Sequence, residues 1–116
     1  MADFKKLEVW EKAHALSLFS HKVAIDIRRA LYTSLKNQIV RAALSIPTNI
    51  VEGREQKTDA EFARYLRYVL ASTSAEYHAI AGRDIGVIST ADFVSLSAQA
   101  KTVRMMLFGL LKRLDK

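Results

Sequence analysis

A chain of 116 residues with only one proline and four glycines has almost no means of turning tightly, because those two residue types supply most of the backbone angles that turns demand. Most of its length must run in long uninterrupted elements, and the α-helix is the element that sustains such runs. Half of the residues are apolar and 26% are charged, the balance of a chain that buries a core rather than one that stays disordered. The length suits one domain, residues 1–116, and is too short for two.

Periodicity divides the sequence into four helical patterns. The first spans about Phe4 to Ile27 and repeats Leu7, Trp10, Ala13, Leu16, Val23 and Ile27 at three- and four-residue steps. Glu8, Glu11, Lys12, Lys22 and Asp26 lie on the other side, as a solvated face requires. The second runs from Leu31 to Gly53 and carries Leu35, Ile39, Ala42, Ala43, Ile46 and Ile50 on about one third of the circumference. Pro47 falls inside it. An interior proline removes a backbone hydrogen bond and presses on the carbonyl four residues back, here Ala43, at a cost of about 3 kcal/mol if unrelieved. Ser45, Thr48 and Asn49 can bond the freed backbone groups, which favours a kinked continuous helix over a new helix with Pro47 in its first turn.

The third pattern starts at Thr58-Asp59-Ala60-Glu61, a capping box, and its stripe is Phe62, Leu66, Val69, Thr73, Tyr77 and Ile80. Gly86 suits the left-handed residue that ends a helix. Ser89-Thr90-Ala91-Asp92 offers the next cap, followed by Phe93, Leu96, Ala100, Val103, Leu107, Leu110 and Leu114. No strand pattern remains. Connections of only a few residues join neighbouring helices head to tail, so the predicted fold is all-α, an antiparallel up-down-up-down four-helix bundle. Met105, Met106, Phe108 and Leu111 surround the core positions of the last helix, making it apolar almost all round. A four-helix bundle buries one side of each helix, so the excess points to a further protein surface, with Met105, Phe108 and Leu111 as the interface residues. The plainer alternative is scattered single exposures, which are common.

Several chemistries are disfavoured. Without cysteine there are no disulfides, thiolate ligands or cysteine nucleophile, which fits a reducing compartment. The first residues are charged, unlike a signal peptide, and the most apolar stretch, Met105 to Leu111, is far short of the roughly 20 residues of a spanning helix. A cytoplasmic protein with no membrane association is expected. His14 and His21 share a face but lie about 10 Å apart along a helix, too far to share a metal ion. With no phosphate loop and no nucleophile elbow, we expect no catalytic residues, cofactor, metal or small-molecule substrate.

Two polar features stand out. Gln38, Arg41, Ser45, Asn49 and Glu52 form a stripe beside the apolar face of the second helix, and Tyr65, Ser72, Glu76 and Arg83 form a similar edge on the third. Such stripes fix register within a bundle, line an oligomer interface or contact a ligand; a pairing of Arg41 with Glu76 would favour the first two. The net charge of +6 and a pI near 9.8 are compatible with a polyanionic partner. Arg54, Lys57, Arg64, Arg67 and Tyr68, basic residues interleaved with aromatics, are the nucleic-acid candidates, against the simpler reading of a solvated helix face. Lys101, Arg104, Lys112 and Arg113 form a second basic group that could rim a protein interface.

Three segments carry a resemblance: Phe4-Lys5-Lys6-Leu7-Glu8-Val9-Trp10-Glu11-Lys12-Ala13, the block from Gln38 to Gly53, and Glu61-Phe62-Ala63-Arg64-Tyr65-Leu66. Together they resemble the four-helix-bundle proteins encoded in intervening sequences of bacterial 23S ribosomal RNA genes. The resemblance implies a homopentamer of bundles around a central opening. It extends to the accessory variability proteins of diversity-generating retroelements, which bind a reverse transcriptase and its RNA. The family's recurrent positions fall on Arg41, Ser45, Asn49, Glu52 and Gly53, with Val51 where alanine is more usual. The expected function is a non-catalytic oligomeric scaffold associated with RNA or a ribonucleoprotein. The alternative is a ring that docks a partner protein, such as a nucleic-acid enzyme, with no nucleic-acid role of its own.

Overall fold

The computed structural model describes the backbone of residues 7–71 and 74–114 and the side chains of residues 7–70 and 76–114. The expectations placed on Phe4, Lys5, Lys6, Ser72 and Thr73 lie outside these residues. The described chain is all-α, with α1 Glu8–Ile25, α2 Thr33–Arg54, α3 Asp59–Ala71, α4 Ser74–Ile85 and α5 Thr90–Leu114. The third helical pattern therefore corresponds to α3 and α4. Helix α1 packs on α2 and α5, while α3 and α4 both pack on α2 and on α5, giving a rod of 45 × 22 × 20 Å.

The chain punctuates its helices largely where the sequence provides for it. At the start of α3 the Glu61 amide donates to the Thr58 hydroxyl at 3.1 Å. The Glu61 carboxylate does not close the box; it accepts from Arg64 instead. Gly86, the one described residue with a left-handed φ, +95°, ends α4, and the amides of Gly86, Val87 and Ile88 all converge on the Gly82 carbonyl. Ser89 then caps α5 by accepting from the Asp92 amide. Leu31, read as the start of the second helix, lies instead in a 3-10 turn over Ala30–Tyr32 and is 74% exposed. Helix α2 continues through a buried Pro47.

The core is built from one stripe of each helix. Val9, Ala13 and Leu16 of α1 meet Ile50 of α2, Phe62, Leu66 and Val69 of α3, and Leu96, Val103, Leu107 and Leu110 of α5. Removing a side chain such as Leu16 or Leu66 from water contributes about 2 kcal/mol. A smaller cluster of Val23, Ala24, Ile27, Ile39 and Ile88 fills the end of the rod under the α1–α2 and α4–α5 corners.

Two predicted core residues are not in the core. Tyr77 is 64% exposed and Ile80 is exposed too, while Ala79 and Gly82 are buried in their place. The buried face of α4 is thus offset from the one that Val69 and the helical period would continue. At Gly82 the small residue is required by how closely Ile88 approaches after the turn at Gly86. A Cβ on Gly82 would stand 2.7 Å from Ile88 Cγ1, so at that position a side chain fits only if Ile88 shifts. The bulky Tyr77 and Ile80 are turned outward. A similar close approach seats α3 on α2, where a Cβ on Gly53 would meet Phe62 Cδ1 at 2.8 Å and Tyr65 Cβ at 2.9 Å.

Candidate functional site

The polar stripe of α2 spends its hydrogen bonds on its own helix. Ser45 donates to the Ala42 carbonyl at 2.7 Å, Thr48 to Leu44 at 2.8 Å, and Asn49 Nδ2 to Ser45 at 2.8 Å. These bonds surround the position of Pro47, but none goes to the Ala43 carbonyl whose partner the proline removes. Ser45 and Asn49 are half-buried; Arg41 and Glu52 are exposed. Glu76 does not pair with Arg41. Its carboxylate takes Arg104 Nη1, tying α4 to α5 through a half-buried ion pair. Gly53 differs from its neighbours in the stripe, since it is buried and defines the α2–α3 contact.

Around the α2–α3 corner, Arg54, Lys57, Arg64 and Arg67 are matched between residues 52 and 67 by Glu52, Glu55, Asp59 and Glu61, so that segment carries no net charge. Arg64 pairs with Glu61 at 2.9 Å and lies over the Tyr65 ring at 5.7 Å. Tyr65 meets Tyr68 edge to face, and Tyr68 is 54% exposed. Arg54 sits over Phe62 at 5.7 Å, half-buried, with its Nε buried and lacking a hydrogen-bond partner. Lys57 and Arg67 are exposed. The candidates are thus brought together, but with acids interspersed that weaken their field.

Helix α5 separates its apolar excess more sharply. Val94, Ala98, Lys101, Met105, Phe108 and Lys112 recur at steps of four and three residues and all are exposed. Met105 is 64% and Phe108 56% exposed. Leu111 and Met106 are partly buried against the main core, so Leu111 contributes at most its edge to an outer surface. A shallow groove between α1 and α5, lined by Lys12, Ala15, Ala98, Gln99 and Thr102, borders the same stripe.

For metal chemistry, Glu11 and His14 stand at the Glu-x-x-His spacing that bundle metal sites use. Such sites need this pair from two helices plus further carboxylates. Among the described residues no three His, Cys, Asp or Glu come together, and the His14 ring stacks on Trp10 at 4.9 Å. No described helix is long and apolar enough to cross a membrane.

Sequence reading missed the α1–α2 corner. Asp26, Ile27, Arg28, Arg29 and Tyr32, with Val87 from the α4–α5 corner, line a small groove there. The signal was present: residues 22–41 contain Lys22, Arg28, Arg29, Lys36 and Arg41 against Asp26 alone. It is a run of isolated charges rather than a motif, so it stands out only once the corner is built.

No match emerges from a search of curated proteins. The family model described as 23S rRNA-intervening sequence protein matches residues 5–109, which takes in α1 through α4, the polar stripe of α2 and most of α5. With nearly its whole length matched, the chain belongs to the 23S rRNA-intervening sequence protein family.

Proposed function

We propose that this protein is a non-catalytic scaffold of the cytoplasm that assembles with copies of itself and associates with RNA or a ribonucleoprotein. Each chain is one domain, an antiparallel up-down-up-down four-helix bundle in which α3 and α4 together serve as the third helix. The connections of four residues at 55–58 and 86–89 support that topology, since they are too short to cross the rod. The observation that carries the assembly is the exposed stripe on α5. Val94, Ala98, Met105 and Phe108 fall on one exposed face that Lys101 interrupts and Lys112 ends, and its large apolar pair, Met105 and Phe108 with cations on either side, suits a protein contact with a polar rim. A ring of five follows from the family resemblance.

RNA association is supported by the excess of six positive charges per chain, which assembly multiplies into a stronger field. A gel-shift titration with single-stranded RNA tests it. Binding that weakens steeply with salt is expected, and no binding at low salt refutes it. The second reading, an adaptor for a partner protein, is favoured by the same α5 stripe. It predicts a protein partner that stays bound after nuclease treatment.

A further inference from the structure

We propose that the corner between α1 and α2 is where this protein takes single-stranded RNA, with Arg28 and Arg29 neutralising backbone phosphates. The inference rests on the RNA-associated reading above and gives it a site other than the one suggested by the basic and aromatic residues of α3. Residues 22–41 hold five cations and one acid, a surplus of four in a chain whose total is +6. The segment around the α2–α3 corner, residues 52–67, sums to zero. Arg28 and Arg29 are exposed and make no ion pair among the described residues, in contrast to Arg64 and Arg104.

The corner is also built to hold these side chains out. The Asp26 and Ile27 amides bond back to Val23 and Ala24, and Ile27 is buried in the smaller core cluster, so the two arginines that follow it are placed at the surface by an anchored backbone. The Tyr32 amide bonds the Arg29 carbonyl at 3.0 Å, and the Arg29 guanidinium lies 5.9 Å from the Tyr32 ring centre. A guanidinium set beside an aromatic ring offers both a phosphate ligand and a flat surface for an unpaired base, which a duplex does not present. Lys36, in the first turn of α2, stands where a cation opposes the helix dipole.

The test uses the full chain and a labelled oligouridylate, read by fluorescence anisotropy across a salt series. The wild type binds. The R28E/R29E variant weakens binding by at least about tenfold at low salt and flattens the salt slope by about 1.4, the share of two phosphate contacts on a single strand. The K57E/R64E variant lowers the net charge by the same four units, so its loss measures the general field of the chain, and that loss is at least about threefold smaller than the loss in R28E/R29E. An R28Q/R29Q variant with an unchanged melting curve shows that the loss is not one of folding. Equal binding by R28E/R29E and wild type, or a larger loss in K57E/R64E, overturns the site while leaving RNA association standing. A wild type that ignores the oligouridylate at low salt overturns RNA association itself. Preference for duplex DNA, or for phosphatidylserine vesicles, overturns the assignment of the corner to single-stranded RNA.

Discussion

Replacing Gly53 with alanine tests the closest helix contact in the fold. An alanine in place of glycine in an open helix position gains about 0.8–1 kcal/mol of intrinsic propensity. At Gly53 the new Cβ would stand 2.8 Å from Phe62 Cδ1 and 2.9 Å from Tyr65 Cβ. The Phe62 ring is 3% exposed and has little room to swing. Tyr65 Cβ moves only if the backbone of α3 moves with it. Overpacking of this kind costs about 1–3 kcal/mol. Relief that requires moving a whole helix belongs to the upper half of that range, so the net change is a loss of about 1–2 kcal/mol. At about 2.1 cal/mol/K per residue the unfolding entropy of such a chain is about 0.24 kcal/mol/K, so Tm falls by about 4–8 °C. Gly109, inside the last two turns of α5, is the control, because nothing lies within 4 Å of its Cβ position. Gly109→Ala raises Tm by about 3–4 °C. Thermal melts at one protein concentration decide between the signs. A Gly53→Ala variant as stabilised as Gly109→Ala would refute the α2–α3 contact.

Thr58→Ala removes the acceptor of the Glu61 amide and lowers stability by about 1 kcal/mol, or about 4 °C in Tm; an unchanged melt would mean that the cap does not form in solution. In urea unfolding, a double-mutant cycle on Glu76 and Arg104, whose side chains are 27% and 36% exposed, gives a coupling near 1 kcal/mol, whereas Glu61 and Arg64, at 47% and 54%, give less than about 0.5 kcal/mol. Equal couplings would show that the α4–α5 pair is no better shielded than a surface one. The variant M105E/F108E yields a species of smaller mass than wild type in light scattering, and unchanged mass would exclude the α5 stripe as the interface.

The core of α5 was legible because its stripe, from Leu96 through Val103 to Leu110, repeats over a single unbroken helix, and period alone identifies the buried face. The caps at Thr58 and Ser89 and the stop at Gly86 were legible because each depends on one residue and its immediate neighbours. Tyr77 and Ile80 were misread because the stripe of α3 was continued straight into α4, whereas α4 is a separate helix whose buried face, with Ala79 and Gly82, is set by its own packing on α2 and α5. Partner choice was equally hidden. Glu76 had several basic residues within plausible reach, and only the packing of α4 on α5 selects Arg104 over Arg41. The apolar excess of α5 was legible as a group, yet the sequence alone could not separate exposed Met105 and Phe108 from Leu111, which leans on the core. The basic corner at Arg28 and Arg29 escaped notice because its strength comes from the scarcity of acids around it.

Native mass spectrometry of the wild type, with and without single-stranded RNA, tests the scaffold reading most directly. The expected result is an assembly at a whole multiple of the 13.1 kDa chain, five for the proposed ring, which shifts as a unit by the mass of bound RNA. A lone 13.1 kDa chain in both conditions would contradict it.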